Sequence, residues 1–293
     1  MFDILIGVLE QGFIYGIMAL GVYISYKILN FPDLTVDGSF PLGAAVTAVL
    51  LTAGVNPWLA LVVSFIAGIG AGLITGIIHV KFKVTDLLSG ILVMTALYSI
   101  NYRIADKKAN IPIFDSNTIF NSGIAKHFPE AISSFLVLVI VFLVALIMKF
   151  LLDWYLSTKS GFLLRATGDN KQFVTSIAKD YGTIKIIGLA ISNAFVALAG
   201  SVVCQQQKLF DISMGTGTIV MGLAAVIIGL NVFKPLKFLK ATTMVLGGSI
   251  IYKACVAMAF EVGFDNADIR LITAVLFLIA LISNGRILKA REE

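Results

Sequence analysis

Charge is what this chain has least of. Only 13% of its 293 residues are charged, whereas 58% are hydrophobic. The mean hydropathy is +0.96, and a soluble domain carries charge on about a quarter of its residues. A water-soluble globular enzyme is excluded, and the chain reads as an integral membrane protein. Cysteine is almost absent: Cys204 and Cys255 both lie in apolar runs without a metal-ligand neighbour, which excludes a disulfide framework or zinc site. Of two histidines, His79 ends an apolar run with no acid or nucleophile to partner it, so it reads as a membrane-interface residue. Proline numbers six against 26 glycines, many set among Ala and Ser, which suits closely packed transmembrane helices. Nowhere does Gly-x-x-x-x-Gly-Lys-Ser/Thr occur, so ATP would have to be bound by another subunit. The formal charge of +5 fits loop lysines at the inner leaflet. No basic patch alternates with aromatics, and nucleic acid is not an expected partner. The start of the chain lacks a basic region and a small-residue cleavage signal, and reads as a retained first span.

What is present is a succession of apolar stretches. The fold class is all-α and polytopic, with about nine spans, eight to ten in all. They fall near 5–28, from the 30–45 stretch to 53, 58–78, 85–104, 132–152, 186–204, after the break that ends at 217 to 232, 241–260, and from beyond Arg270 to Arg286. Span three carries Gly68, Gly70, Gly72 and Gly76 as a seam for close helix contact. A polar linker with Asp106, Lys107, Lys108, Pro112 and Asp115 follows span four and is long for a plain connection. It is expected to pack on the outer face. Glu10 interrupts span one, either at the interface or with a functional role.

The longest polar break runs from Asp153 to Lys185. Asp169 and Gln172 have capping-box spacing, which predicts a short helix from about Asn170 to before Gly182. Phe173 and Ile177 share one face of it, with Val174 beside them. That is an apolar knob on a polar loop. It suits either a docking element for another protein or a helix lying on lipid headgroups.

A second break spans Asn30 to Ala45, where Pro32 and Pro41 bracket Asp33, Thr35, Asp37 and Ser39. Continuous helix is not expected there, and its backbone groups must find partners inside protein or a wet cavity. A third break, Gln205 to Gly217, includes Asp211, Ser213 and Thr216. The two breaks echo each other. Asp33-Leu34-Thr35-Val36 resembles Asp211-Ile212-Ser213-Met214, and Gly43-Ala44-Ala45-Val46 returns as Gly222-Leu223-Ala224-Ala225-Val226. With nine spans the copies point in opposite directions, an inverted repeat with broken helices. Asp33, Thr35, Asp37, Ser39, Asp211, Ser213 and Thr216 are therefore the candidate translocation path, their other role being to cap and seal helices.

Basic residues set the orientation. Fifteen fall on the side of the long loop (Lys27, Lys81, Lys83, Lys149, Lys159, Arg165, Lys171, Lys179, Lys185, Lys234, Lys237, Lys240, Arg286, Lys289, Arg291). Six fall opposite (Arg103, Lys107, Lys108, Lys126, Lys208, Arg270), and Lys253 lies within a span. The long loop and the C-terminus are expected in the cytoplasm.

Over nearly its whole length the chain resembles permease subunits of ATP-binding-cassette importers, in the branched-chain amino acid and ribose-type group, and most of all the tryptophan- or tyrosine-type permeases. Asn30 to Ala45 resembles that family's broken segment, and Leu164 to Asn170 its loop toward the nucleotide-binding subunit. The resemblance implies one transmembrane permease domain over 1–293, with 153–185 as its coupling loop, and no enzymatic activity of its own. Arg165, Gly168, Asp169, Asn170, Phe173, Val174 and Ile177 would meet the ATPase, with Arg165 bonding to it or to lipid phosphate. Cytoplasmic ATPases would hold ATP and Mg, no cofactor being bound by this chain. A second permease copy and an extracytoplasmic substrate-binding lipoprotein would complete an importer in the bacterial plasma membrane. The implied solute is an amino acid, preferably aromatic, or a ribose-type sugar. Ten spans are described for related sugar permeases, one more than counted here. An ion-coupled carrier using Glu10, Asp33, Asp37, Asp211 and Lys253 is the competing class, and a membrane scaffold a third.

Overall fold

The computed structural model describes residues 2–122, 133–169, 180–236, 238–265 and 268–289. Helix α1 (Phe2–Val22) passes directly into a π-helical segment (Tyr23–Ile28). After it come α2 (Val36–Thr52), α3 (Pro57–Lys81), α4 (Asp86–Ile104), the short strand β1 (Asn110–Pro112), α5 (Ser133–Ser157) and α6 (Lys159–Asp169). The second half holds α7 (Tyr181–Gln207), β2 (Leu209–Asp211), a 3-10 turn (Ile212–Gly215), α8 (Thr218–Val232), α9 (Ala241–Glu261) and α10 (Ile269–Lys289). Among the described residues seven stretches are long and apolar enough to cross a membrane, and two shorter apolar helices, Val36–Thr52 and Ile269–Ile282, join them. These coincide with the spans read from the sequence.

Local chemistry explains several boundaries. Asn56 accepts the Trp58 N–H at 2.9 Å, with Pro57 at the first helical position of α3. Asp180 caps α7 in the same way through Gly182 and Thr183. The second break is shorter than expected. Helix resumes at Val36 and runs through Pro41, which lies inside α2. Proline removes the N–H that the Asp37 carbonyl would take. Gly215 lies against that carbonyl and the Pro41 ring, where a Cβ would overlap both. Another difference is α6, which occupies 159–169 where the sequence suggested only loop. The helix expected from Asn170 lies outside the described residues.

The bundle is built around α7. Every residue from Ser192 to Gln205 is buried, as expected of a helix enclosed on all sides. Backbones come close there because one partner at each crossing lacks a side chain. A Cβ on Gly68 would overlap the Asn193 carbonyl oxygen, and one on Gly72 that of Leu189. Gly76 packs on Ile186, so Gly68, Gly72 and Gly76 form the α3 seam, four residues apart. Gly70 is not part of it, having open space at its Cβ position. Likewise Gly43 of α2 lies on Ala197, and Gly200 of α7 on Phe40. Hydroxyls tie the same crossing: Thr47 bonds both Ser64, at 2.8 Å, and Ser201. Outward faces carry Ile66, Phe150 and Leu278, each more than half exposed, which suits lipid contact.

Polar clusters close the bundle at both ends. Strand β1 pairs antiparallel with β2, so the 105–122 linker returns over the end of α7. There Gln205 accepts the Ile119 N–H at 2.9 Å, and Ile113 and Ile119 are buried. At the opposite end Asp86 pairs with His79 at 3.1 Å and Lys185 at 3.7 Å, while Lys185 also bonds His79 at 2.9 Å. His79 thus has acidic and basic neighbours that sequence spacing did not bring together. Asp153 gathers Lys149 at 2.9 Å, Lys240 at 3.4 Å and the Thr242 hydroxyl at 2.6 Å.

Two outcomes follow from this packing. Gly43→Leu is expected to abolish the monodisperse folded permease in size-exclusion chromatography, whereas Gly70→Ala keeps it and gains up to about 1 kcal/mol from helix propensity. Asp180 stands outside the spans, and its carboxyl is held below the usual carboxylate range by the Thr183 hydroxyl and the Gly182 N–H, partly offset by desolvation. A depressed folded-state pKa gives stability that is present above the unfolded value and lost as pH falls through the folded one. Melting temperatures of the native protein and Asp180→Ala should therefore differ at neutral pH and converge on acidification.

Candidate translocation site

The two polar breaks are copies in three dimensions. Asn30 and Lys208 each adopt a left-handed conformation, with φ of 52° and 54°, three residues before Asp33 and Asp211. Asp33 then accepts the Thr35 N–H at 2.9 Å, and Asp211 the Ser213 N–H at 2.6 Å. Each copy is a helix end, a left-handed residue, an aspartate turn and a new helical start. The preceding spans, α1 and α7, traverse the bundle in opposite senses, as an inverted repeat requires. Four residues after each aspartate stand Asp37 and Gly215, and these two positions touch. The halves of the repeat meet there.

Beside that contact lies a cavity of about 400 Å³, lined by Asp37, Gly38, Pro41, Met94, Thr95, Tyr98, Asn101, Ile212, Ser213 and Thr216. Asp37 belongs to α2 but caps α8. Its Oδ1 accepts the Ile219 N–H at 2.8 Å and the Thr218 hydroxyl at 2.9 Å, and its Oδ2 accepts the Gly217 N–H at 2.9 Å. A carboxylate at a helix N-terminus meets orphan donors and the positive end of the helix dipole. From α4, the fully buried Asn101 donates to the carbonyl of the neighbouring Gly38 at 3.0 Å.

The candidate path residues divide into two sets. Asp37, Ser213 and Thr216 line the cavity. Asp33, Thr35 and Ser39 are fully buried and face α3 and α7. Asn193 donates to Asp33 at 2.7 Å and accepts from Ser39 at 2.7 Å, and Thr35 bonds Thr75 at 2.8 Å. Asp211 caps the 3-10 turn through the Ser213 N–H and hydroxyl. Thr95, Tyr98, Met94 and Asn101 went unnoticed in the sequence because α4 reads as one more apolar span. Its weaker hydropathy, 1.3 against 3.2 for α5, is the signal that could have marked it.

Of the residues assigned to ATPase coupling, Arg165 is exposed on α6 and Asp169 is that helix's last residue. Gly168 sits on the Ile28 carbonyl, where a Cβ would overlap it. Leu164 is fully buried and packs with Leu29 around Gly188. Helix α6 is thereby fastened to the end of the π-helical segment, a few residues from Asp33. Asn170, Phe173, Val174 and Ile177 lie outside the described residues. As for the remaining ionisable groups, Glu10 is buried within α1, and Lys253 of α9 bonds Gln11 at 3.1 Å and sits 3.6 Å from the Tyr15 ring centroid. No group of three metal-ligating side chains occurs among the described residues.

Asp33 exposes one clear dependence. Its carboxyl is fully buried and held by the Asn193 amide and its own turn. Asn193→Leu should cost about 1.5–3 kcal/mol, the range of a hydrogen bond to a carboxylate, read as a lowered thermal midpoint in detergent.

Comparison with known proteins accords with this arrangement. The family model described as "Branched-chain amino acid transport system / permease component" matches residues 4–282. A tyrosine transport system permease protein of Clostridioides difficile is 44% identical over 283 residues, 97% of this chain and 92% of the relative. An uncharacterized protein of Rickettsia prowazekii is 32% identical over 291 residues, 97% and 99% of the two chains. A ribose import permease protein of Haemophilus influenzae is 24% identical over 273 residues, covering 92% and 78%. No solved structure matches. With a family match over almost all its length and a core of broken, opposed helices around a small cavity, the chain belongs to the branched-chain amino acid transport system permease family: it is a permease subunit of an ATP-binding-cassette importer for a small solute.

Proposed function

We propose that this permease carries an amino acid, with aromatic ones preferred, inward across the bacterial plasma membrane, and that the cavity at Asp37 is a stage on its route. The observation that carries the reading is the place of that cavity, where the two broken helices of the repeat meet. Broken helices offer backbone and side-chain groups that replace water around a polar solute. The lining is polar at Asp37, Thr95, Asn101, Ser213 and Thr216 and apolar at Met94, Tyr98, Pro41 and Ile212. Such a mixture suits a small zwitterion with an apolar side chain. The C. difficile relative, named a tyrosine transport system permease, supports the aromatic preference.

Family membership implies an ATPase and a binding protein as partner subunits, and it sets aside the ion-coupled carrier. ATP and Mg belong to the ATPase in this reading. The loop 153–185 and the C-terminus face the cytoplasm, because basic residues concentrate on their side. The pairing of β1 with β2 supports that map, since it requires the linker after α4 and the break after α7 to share the other side. The route from ATPase to cavity runs through α6. Displacing α6 pushes on Ile28 and Leu29, and through them on the segment that holds Asp33 and Asp37. A second copy of the permease pairs through a closed two-fold. The exposed side of α4 sets Thr95, Tyr98, Ser99, Tyr102 and Arg103 among Leu92 and Ile100, a mixed face that fits a surface shared between copies.

Phe173→Asp tests the docking assignment. The variant should reach the membrane folded and leave ATP hydrolysis running while solute uptake falls at least about tenfold, as for an apolar contact replaced by an unpaired buried charge. Unimpaired uptake would remove 168–178 from the ATPase interface. Calorimetry of the purified receptor against amino acids and ribose decides the solute: binding of ribose alone would replace the amino-acid reading and leave the permease assignment in place.

A further inference from the structure

We infer that Asp37 recognises the ammonium group of the transported solute, with Asn101 of the same cavity lining as a second acceptor. The inference rests on the amino-acid reading above and adds the orientation of the solute and the group that selects it. Asp37 is a carboxylate that no basic side chain pairs with among the described residues. It takes three hydrogen bonds, two on Oδ1 and one on Oδ2. An ionised carboxylate offers about four acceptor positions. One therefore stays open on Oδ2, in a residue that lines a cavity of about 400 Å³.

The cavity wall shows the same want of a donor. Asn101 is fully buried and lines the cavity too, and its Nδ2 is committed to the Gly38 carbonyl. Its Oδ1 has no hydrogen-bond partner among the described residues. Leaving a buried acceptor unpaired is costly. Two acceptors, one of them charged, belong to residues of a lining that holds no basic side chain, so a ligand that brings several N–H donors and a positive charge is complementary to it. A free ammonium has those properties. A sugar has donors but no charge, and an N-acylated amino acid has lost both the charge and all but one donor.

The test uses the full-length permease in nanodiscs and equilibrium binding of L-tyrosine, N-acetyl-L-tyrosine and ribose. L-Tyrosine should outbind its N-acetyl derivative by about 10- to 100-fold, the worth of one charged hydrogen bond. Asp37→Asn keeps a side chain able to cap a helix but removes the charge, and should abolish that preference. In the double variant Asp37→Asn with Asn101→Asp the charge returns to the cavity lining at another residue and the preference should return with it. A purely structural role predicts the reverse, since the second change gives up the bond to Gly38 and repairs nothing at α8. Equal binding of tyrosine and its N-acetyl form, no binding of tyrosine, or no recovery in the double variant each overturns the ammonium site. Binding of ribose but not tyrosine overturns the amino-acid reading as well, which separates the two failures.

Discussion

A carboxylate inside an apolar bundle must be surrounded by donors that the protein itself provides, and that requirement organises this molecule. Asp33 and Asp37, four residues apart on one break, solve it differently. Asp33 turns inward to α7, where Asn193 and its own backbone turn hold it. Asp37 turns to α8 and receives two backbone N–H groups and a hydroxyl. The first bond set fixes α2 on the central helix. The second joins the halves of the repeat. Neither would be worth its desolvation in a loop exposed to water, but in a medium without competing water each backbone donor counts for more.

Close approach of helices makes those bonds reachable. α2 and α3 lie on α7 through Gly43, Gly68, Gly72 and Gly200, so that backbone meets backbone and the short side chains of Ser39, Thr47, Ser64 and Ser201 span the gap. In lipid no hydrophobic force separates helix from solvent, and contact must come from packing and from polar bonds of this kind. The same logic repeats between α8 and α9, where Gly229 and Gly248 remove the side chains at the crossing. A bundle assembled this way is densely packed along α7, whereas at its breaks only a few residues bridge one helix to the next.

That contrast gives an importer its working parts. Helix α6 is tied to Ile28 and α7 by Gly168, Leu164 and Gly188, close to the break that carries Asp33 and Asp37. Under the proposed function, a push delivered there reaches the cavity through Ile28, Leu29 and the short segment that leads to Asp37.

The amino-acid order alone determined the class of protein, the spans to within a few residues, the two breaks and their likeness, because hydropathy, proline and the Asp-x-Ser/Thr pattern are local properties. It also led through resemblance to the permease family. The extent of the breaks was not legible: Pro41 suggested an interruption, yet helix runs through it, because Gly215, distant in sequence, packs against the place where the hydrogen bond is missing. Which candidate path residues would share a cavity was equally hidden. Asp33 and Asp37 look alike in the chain, and only the positions of α7 and α8 send one into the core and the other to the cavity. Asn101, Thr95 and Tyr98 carried no mark beyond a modest drop in hydropathy. Their part arises from the face of α4 that is left uncovered, and a helix's neighbours are decided by tertiary packing, since spacing along one helix says which residues share a face but not what that face will meet.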